Sequence, residues 1–322
     1  MNYLMDRLSF WIVLLVALIC GGAEAFGEAQ KFLIVSAPGT SRIAYLKLPA
    51  DGSPAVPGEA FRTLIDKELV FPQGIAVDAY RKRLFVADPN LGKLVMYPLS
   101  YNGDKLSVGK MVTVAKGVEV RAVAVDGLGN VVFSEETTNR IMRVTAPMIE
   151  AGDTTAQTIY SGDNLSAVSA PGGVAVDNYF VYWLNKNGGT KVGSLVRAQR
   201  SMNLAAYSGN VSSRVSLLSS NAAKCYGVCI ALGNAFYTDE TKNLYGISRA
   251  STARSNAITI SSALKEPRGC AFDGAGTVYV TDKGQNAIFQ FASNMQTLTP
   301  DRPLTKAADL QGAFGIVVYT PV

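Results

Sequence analysis

A short phrase recurs six times along this chain and constrains its fold more than any other feature. Each copy combines a turn-forming or small start with a short apolar run, and most copies close on an acid, as in Pro72-Gln73-Gly74-Ile75-Ala76-Val77-Asp78. The copies occupy residues 72–78, 120–126, 171–177, 225–231, 267–273 and 313–319. Equivalent residues lie 42 to 54 positions apart, a period typical of stacked sheets that cannot bury their faces alone. The repeat therefore predicts one ring of similar β-sheets.

The strands of a single repeat can be traced between residues 72 and 114. Ile75–Val77 form a short apolar run after a Pro-x-Gly turn signal, and Leu84–Asp88 and Lys93–Tyr97 follow as second and third strands. A more polar fourth strand is predicted around Lys110–Val114. Four antiparallel strands in about 45 residues is the pattern of one blade of a β-propeller.

The two ends of the chain predict how the ring closes. The last copy of the phrase supplies an innermost strand through Val318, after which the chain stops. Near the other end, Lys31–Ser36 and Arg42–Leu48 read as second and third strands that lack a first. We therefore expect the C-terminal strand to complete the N-terminal blade, which removes the edges of the ring. The expected fold is an all-β, six-bladed propeller that forms one domain over residues 26–322.

The first 25 residues have the features of a secretory signal peptide. Arg7 precedes the apolar run Phe10–Cys20, and Ala23-Glu24-Ala25 provides a cleavage site. The run is shorter than the ~20 apolar residues that span a bilayer, although an uncleaved signal anchor is the alternative. The sequence predicts a protein of the secretory pathway, secreted or lumenal, with no stable membrane span after cleavage.

Cysteines and glycosylation sequons bear on the same compartment. Cys225 and Cys229 lie four positions apart on one extended strand, about 13 Å between Cα atoms, and cannot be bridged. Cys229 and Cys270 fall on the innermost strands of adjacent blades, where they form either a disulfide or, as the favoured interpretation, two small buried apolar side chains. Asn164-Leu165-Ser166 and Asn210-Val211-Ser212 predict sites for N-linked glycans.

Two kinds of repeat resemble parts of this pattern. The predicted second strands resemble the YWTD motif of LDL-receptor-type propellers: Leu84-Phe85-Val86-Ala87-Asp88, Val181-Tyr182-Trp183-Leu184-Asn185, Ala235-Phe236-Tyr237-Thr238-Asp239 and Val278-Tyr279-Val280-Thr281-Asp282. The first strands with their turns, such as residues 267–280, look like NHL repeats. The resemblance covers nearly the whole mature chain, but it is specific to the six-bladed superfamily, which also contains gluconolactonase-like enzymes, and not to one activity. It implies a structural role for the acids Asp88, Glu135, Asp239 and Asp282.

The composition limits the chemistry that the chain can perform. It contains no histidine, which excludes a Ser-His-Asp triad, a histidine general base and a histidine-ligated zinc. The remaining enzyme alternative is a calcium-dependent lactonase or esterase of the propeller type, which needs oxygen ligands that converge on the central channel.

The mouth of the central channel is the predicted ligand site. The residue before each inner glycine, or its equivalent, is expected to face this mouth; these residues are Gln73, Arg121, Gly172, Tyr226, Arg268 and Phe314. None is a carboxylate and two are cationic, so a divalent cation would be repelled. Arg121 and Arg268 belong to blades three apart and, with Tyr226 and Phe314, predict a pocket for a small anionic or planar ligand. The alternative, which we favour from the sequence, is that both arginines pair with local carboxylates or carbonyl groups.

These observations together predict a non-catalytic binding or scaffold module without a cofactor. Only the alternative, a calcium-dependent hydrolase, implies bound calcium. Propellers offer loops on a rigid frame, so the expected partner is a protein or a small anionic or planar ligand. After residue 25 the chain holds 29 basic and 23 acidic residues. Arg81-Lys82-Arg83 is the one dense basic cluster, interpreted as a solvated hairpin turn, so no nucleic acid partner is predicted. We expect a monomer.

Overall fold

The computed structural model describes residues 30–49, 51, 53, 59–187, 193–221, 223–252, 255–293 and 297–322. The predicted signal peptide lies outside the described residues. Within them the chain forms six antiparallel sheets, which are the blades of a propeller. The predicted fold is therefore confirmed. No helix in these ranges is long and apolar enough to cross a membrane.

The strands of the first three blades follow one another from the channel outward. Blade 1 consists of β25 (Ile316–Tyr319), β1 (Lys31–Ala37), β2 (Arg42–Leu48) and β3 (Arg62–Ile65). Blade 2 consists of β4 (Ile75–Asp78), β5 (Arg83–Asp88), β6 (Lys93–Asn102) and β8 (Val112–Lys116), with β7 (Lys105–Val108) as an added strand. Blade 3 consists of β9 (Val120–Val125), β10 (Val131–Glu135), β11 (Arg140–Val144) and β12 (Gln157–Ser161).

The other three blades have the same order. Blade 4 consists of β13 (Pro171–Val176), β14 (Phe180–Asn185), β15 (Gly193–Gln199) and β16 (Val215–Asn221). Blade 5 consists of β17 (Cys225–Ala231), β18 (Asn234–Asp239), β19 (Leu244–Ser248) and β20 (Ile258–Ser261). Blade 6 consists of β21 (Pro267–Phe272), β22 (Thr277–Asp282), β23 (Ala287–Ala292) and β24 (Thr305–Asp309). The short helix α1 (Ala146–Glu150) and 3₁₀ turns at Pro38–Thr40, Leu204–Ala206 and Val211–Arg214 lie in connections.

The ring closes as the chain ends predicted. The C-terminal strand β25 pairs antiparallel with β1, from Phe32 opposite Tyr319 to Val35 opposite Ile316. The rings of Phe32 and Tyr319 stack with 6.4 Å between centroids. Blade 1 is thus built from both ends of the described chain.

Blade 2 departs from the prediction at its outer edge. Strand β6 continues past Tyr97 to Asn102, and beyond Pro98 it pairs with β7. The turn contains Gly103 at φ 60°, in the Asn-Gly sequence that favours tight hairpins. The outermost strand β8 therefore begins two residues later than the predicted strand around Lys110–Val114.

Large apolar side chains fill the spaces between neighbouring blades. Trp183 of blade 4 is fully buried and packs against Tyr160 of blade 3, with ring centroids 5.3 Å apart. Its indole N–H donates to the carbonyl oxygen of Ala167 at 2.9 Å, which satisfies the buried donor. In the described part of the chain, six separate clusters of this kind lie around the ring, one at each boundary between neighbouring blades.

The inner strands approach one another so closely that glycine is required. A Cβ atom on Gly74 would lie 2.6 Å from the Cα atom of Ala122 in blade 3, and one on Gly269 would lie 2.7 Å from the carbonyl oxygen of Phe314. Both distances are shorter than normal van der Waals contact. The small residues that follow these positions, such as Ala76 and Ala271, line the channel itself.

The cysteines correct the interpretation that was favoured from the sequence. Cys229 and Cys270 form a disulfide, with Cα atoms 5.5 Å apart. Treating them as two separate apolar side chains was wrong, because the register of β17 and β21 places them side by side on adjacent inner strands. Cys225 is a buried free cysteine, and burial raises the pKa of its thiol.

Candidate ligand site at the channel mouth

The inner strands surround a cavity of about 610 Å³ that runs along the propeller axis, and their starts form its charged mouth. All six residues predicted at the channel mouth line it: Gln73, Arg121, Gly172, Tyr226, Arg268 and Phe314. The six residues named from the sequence pattern thus line the channel, while their contact with a ligand stays a prediction.

Arg268 lies against the aromatic residues of the mouth. Its guanidinium carbon is 4.3 Å from the ring centroid of Tyr226 and 6.0 Å from that of Phe314. One guanidinium nitrogen donates to the carbonyl oxygen of Pro267 at 2.9 Å, and another donates to Glu266 at 3.3 Å. The side chain is 11% exposed. Arg268 thus presents a held positive charge between two ring faces.

Arg121 belongs to a charge cluster on the opposite side of the ring. It forms ion pairs with Glu119 and, at 3.0 Å, with Glu136. The ammonium of Lys186 contacts the same Glu136 oxygen at 2.6 Å and lies 5.1 Å from the ring centroid of Tyr226. Burial lowers the pKa of Lys186 below its usual 10.5, although the hydrogen bond that Lys186 donates to Glu136 opposes this shift.

Sequence reasoning missed three charged residues that also line the cavity, namely Glu136, Lys186 and Lys283. Each directly follows the last residue of a second strand, after Glu135, Asn185 and Asp282 respectively. The equivalent residues of blades 2 and 5, Pro89 and Glu240, are not among the lining residues, so this position contributes to the cavity in three blades. The position after the closing residue of the YWTD-like strand was therefore the available signal.

The arginines satisfy both interpretations made from the sequence. Each pairs with a carboxylate, Arg121 with Glu119 and Glu136, and Arg268 with Glu266, yet both also line the cavity. Four cations at the mouth (Arg121, Lys186, Arg268 and Lys283) face three carboxylates (Glu119, Glu136 and Glu266). The cluster is positive by one charge, so an anion would compete with these carboxylates for the arginines.

Hydroxyl groups of the second strands hold the mouth residues of the next blade in place. Ser36 donates to the carbonyl oxygen of Gln73, Ser134 to that of Gly172, Thr238 to that of Arg268 and Thr281 to that of Phe314. Blade 2 has Ala87 at this position, and there the N–H of Gly74 donates directly to the carbonyl oxygen of Arg121 at 3.1 Å. The backbone of the mouth is therefore fixed across most blade boundaries.

The acids of the second strands are bound to backbone groups away from the cavity. Asp88 accepts from the N–H groups of Val70 and Phe71, and Asp282 accepts from those of Lys265 and Glu266, in the connections between blades. Glu135 likewise accepts from the N–H of Glu119.

Asp239 differs, because it accepts from Thr241, Lys242 and Asn243 of its own turn and from the hydroxyl of Tyr245 on β19, all within blade 5. These contacts agree with the structural role implied by the resemblance. In the part of the chain that the structure describes, no group of three or more His, Cys, Asp or Glu residues is placed to hold a metal ion.

Comparisons with known proteins place the chain by its fold. No family model matches the sequence, and no curated protein matches it. A chain in the crystal structure of a nidogen/laminin complex is similar, with a TM-score of 0.64 at 12% identity, covering 90% of this chain and 98% of that one. A streptogramin B lyase structure has a TM-score of 0.48 at 11% identity, covering 74% of this chain and 68% of that one.

At 12% identity the first similarity establishes the fold alone. The six blades and the YWTD-like second strands agree with the superfamily that the sequence resembles. What the molecule binds must be argued from its own residues.

Proposed function

We propose that this chain is a non-catalytic binding propeller that holds a small, planar, anionic ligand at the mouth of its central channel. The observation that carries the proposal is the placement of Arg268 between the rings of Tyr226 and Phe314, at 4.3 and 6.0 Å, inside a cavity of about 610 Å³. A planar group has ring faces to stack on, and an acidic group has guanidinium donors to accept from.

The charge balance supports an anion over a cation. The cluster carries one net positive charge, which comes from Arg268 and Lys283 with the single carboxylate of Glu266, because Glu119 and Glu136 offset Arg121 and Lys186. Each arginine contact to an anion contributes about 1.5–3 kcal/mol as a charge-assisted hydrogen bond. The existing carboxylate partners reduce that gain, because the ligand must replace them.

Fluorescent pyrenesulfonate, a planar anion, tests the proposal by direct titration. The wild type should bind this probe, and the double variant Arg121→Met/Arg268→Met should bind it orders of magnitude more weakly. Arg62→Met is the matched control, because Arg62 is an exposed arginine paired with Asp104 away from the channel. Uncharged pyrenemethanol should bind much more weakly than the sulfonate. Equal affinities for both probes, or equal affinities of all variants, would reject the site.

We further propose that the protein acts in the secretory pathway, with residues 1–25 as a cleaved signal peptide and residues 26–322 as a single domain. The disulfide between Cys229 and Cys270 suits an oxidising compartment. Asn164 and Asn210 are both exposed, as N-glycosylation requires. Expression of the full chain in secretory cells should give a protein in the medium that begins at Phe26. Digestion with a peptide N-glycosidase should lower its mass, and Asn164→Gln/Asn210→Gln should abolish that shift.

The binding role also predicts a protein partner on the loops and a monomeric state.

The alternative function, a calcium-dependent hydrolase, is tested by adding calcium during thermal unfolding. Marked stabilisation by calcium that is lost in Asp239→Asn or Asp282→Asn would favour that enzyme over the binding module.

A further inference from the structure

Exposed apolar residues recur at the tips of the turns that join the first and second strands of each blade. Tyr80, Leu128, Tyr179 and Leu232 are 81%, 63%, 73% and 50% exposed at these turns in blades 2 to 5. Blade 6 has exposed Ala275 at the same position. In blade 1, where the chain ends replace the turn, Val322 is 72% exposed. We call the surface formed by these six residues the hairpin face.

The hairpin face lies at the end of the channel opposite to the charged mouth. The mouth residues precede or begin the inner strands, whereas the turns follow them, as shown by the pairing of Asp78 with Arg83 and of Val176 with Val181. All inner strands run in the same direction, so the six tips encircle one opening. A ring of single apolar tips at matching positions differs from scattered surface residues, and such exposed apolar surface marks interaction sites.

Most charges of the hairpin face are paired; the cation is the more exposed partner in four pairs, and the acid is the more exposed partner in the pair of Arg83 with Glu150. Four acids lie at or just before these turns. Each acid is buried and forms an ion pair with a more exposed cation: Asp78 with Arg81, Asp126 with Arg200, Asp177 with Arg249 and Asp273 with Lys31. The acid side chains are 2–9% exposed and the cations 12–31%. Lys82 adds an exposed positive charge next to Tyr80. The ion pairs are neutral, so the positive charge that this face offers beside its apolar tips comes from Lys82.

We propose that the hairpin face docks on an anionic lipid surface. Tyrosine and leucine at isolated, protruding turn tips suit insertion into a headgroup layer, since each tip can enter separately, and the exposed Lys82 complements lipid phosphates and carboxylates.

Vesicle flotation of residues 26–322, which contain every strand of the ring, tests this docking. The wild type should float with phosphatidylcholine vesicles that contain phosphatidylserine. Tyr80→Ser/Tyr179→Ser should weaken this binding about tenfold or more, because two inserted rings are lost. Lys82→Gln should weaken it about fivefold on these vesicles and leave any residual binding to pure phosphatidylcholine unchanged.

Val70→Ser is the matched control, because Val70 is 48% exposed and its N–H donates to Asp88 at the opposite end of the ring. It should bind like the wild type. The proposal is overturned if the wild type does not float, or if Val70→Ser weakens binding as much as the tip variants do. It is also overturned if sedimentation velocity shows that the tips drive self-association without lipid binding. None of these results depends on the ligand at the channel mouth.

Discussion

The hydroxyl of Thr238 donates a hydrogen bond to the carbonyl oxygen of Arg268 at 2.6 Å, across the boundary between blades 5 and 6. The oxygen of that hydroxyl accepts from the N–H of Gly227 at 3.0 Å. One hydroxyl thus links the inner strand of its own blade to the channel residue of the next. This contact explains how a repeated second-strand motif fixes the position of a mouth residue.

Removing this hydroxyl should destabilise the ring. Thr238→Val keeps the shape of the side chain but leaves a buried N–H and a buried carbonyl without this partner, which costs about 1–3 kcal/mol. Urea unfolding measures the loss. Thr238→Ser retains the hydroxyl and should stay closer to the wild type. If Val and Ser lower the free energy of unfolding equally, the bridge is not the cause.

The disulfide between Cys229 and Cys270 should contribute to stability. It joins residues 41 positions apart, so its removal in Cys229→Ala/Cys270→Ala is expected to cost about 2–4 kcal/mol. Reductant should lower the thermal midpoint of the wild type and leave that of the double variant unchanged. Alkylation of the denatured, non-reduced residues 26–322 should modify one thiol, that of Cys225. Modification of three thiols would contradict the bridge.

The contact between inner strands predicts a sharp difference between two glycines. Gly74→Ala would place a Cβ 2.6 Å from the Cα of Ala122, and we expect a loss of about 2–4 kcal/mol because backbone must move. Gly233→Ala is the control, since a Cβ there meets no atom within 4 Å. Thermal unfolding of both variants checks the account. Equal midpoints would show that the blades can separate without cost.

The lowered pKa of Lys186 predicts a pH dependence at the mouth. Burial is the main cause of the lowered pKa. Below the pKa that Lys186 has in the folded protein, its buried ammonium is charged, and the full cost of this charge to folding stability is present. It is relieved as the pH rises through that value toward 10.5, and the wild type should then gain stability relative to Lys186→Arg. Over the same range the wild type should lose affinity for pyrenesulfonate, whereas Lys186→Arg should retain it. Parallel pH profiles of the two proteins would contradict this role for Lys186.

Much of the fold could be predicted because the repeat is directly recognisable in the amino-acid sequence. The copies of the inner-strand phrase gave the number of blades, and the unpaired strands near Lys31 and Ile316 gave the closure. The β6–β7 hairpin was missed because the prediction ended the third strand at Tyr97, although Asn102-Gly103 carries a turn signal.

The candidate site was predictable in part. The six mouth residues follow from the phrase, since their position relative to the inner strand is fixed. Glu136 and Lys186 were missed because they come from second-strand ends, and the contact between them depends on how blades 3 and 4 lie relative to each other. The disulfide was undecided for a similar reason, because it depends on the register between two strands that do not hydrogen-bond as neighbours in one sheet.

Two variants that remove opposite charges, one at Arg268 and one beside it, test most directly whether Arg268 binds an anion at the channel mouth. Arg268→Met removes the cation between Tyr226 and Phe314, whereas Glu266→Gln removes the carboxylate that competes for it at 3.3 Å. We predict that pyrenesulfonate affinity falls roughly 10- to 100-fold in Arg268→Met and rises above the wild type in Glu266→Gln. If both variants shift the affinity in the same direction, or if neither changes it, Arg268 does not bind an anion at the channel mouth.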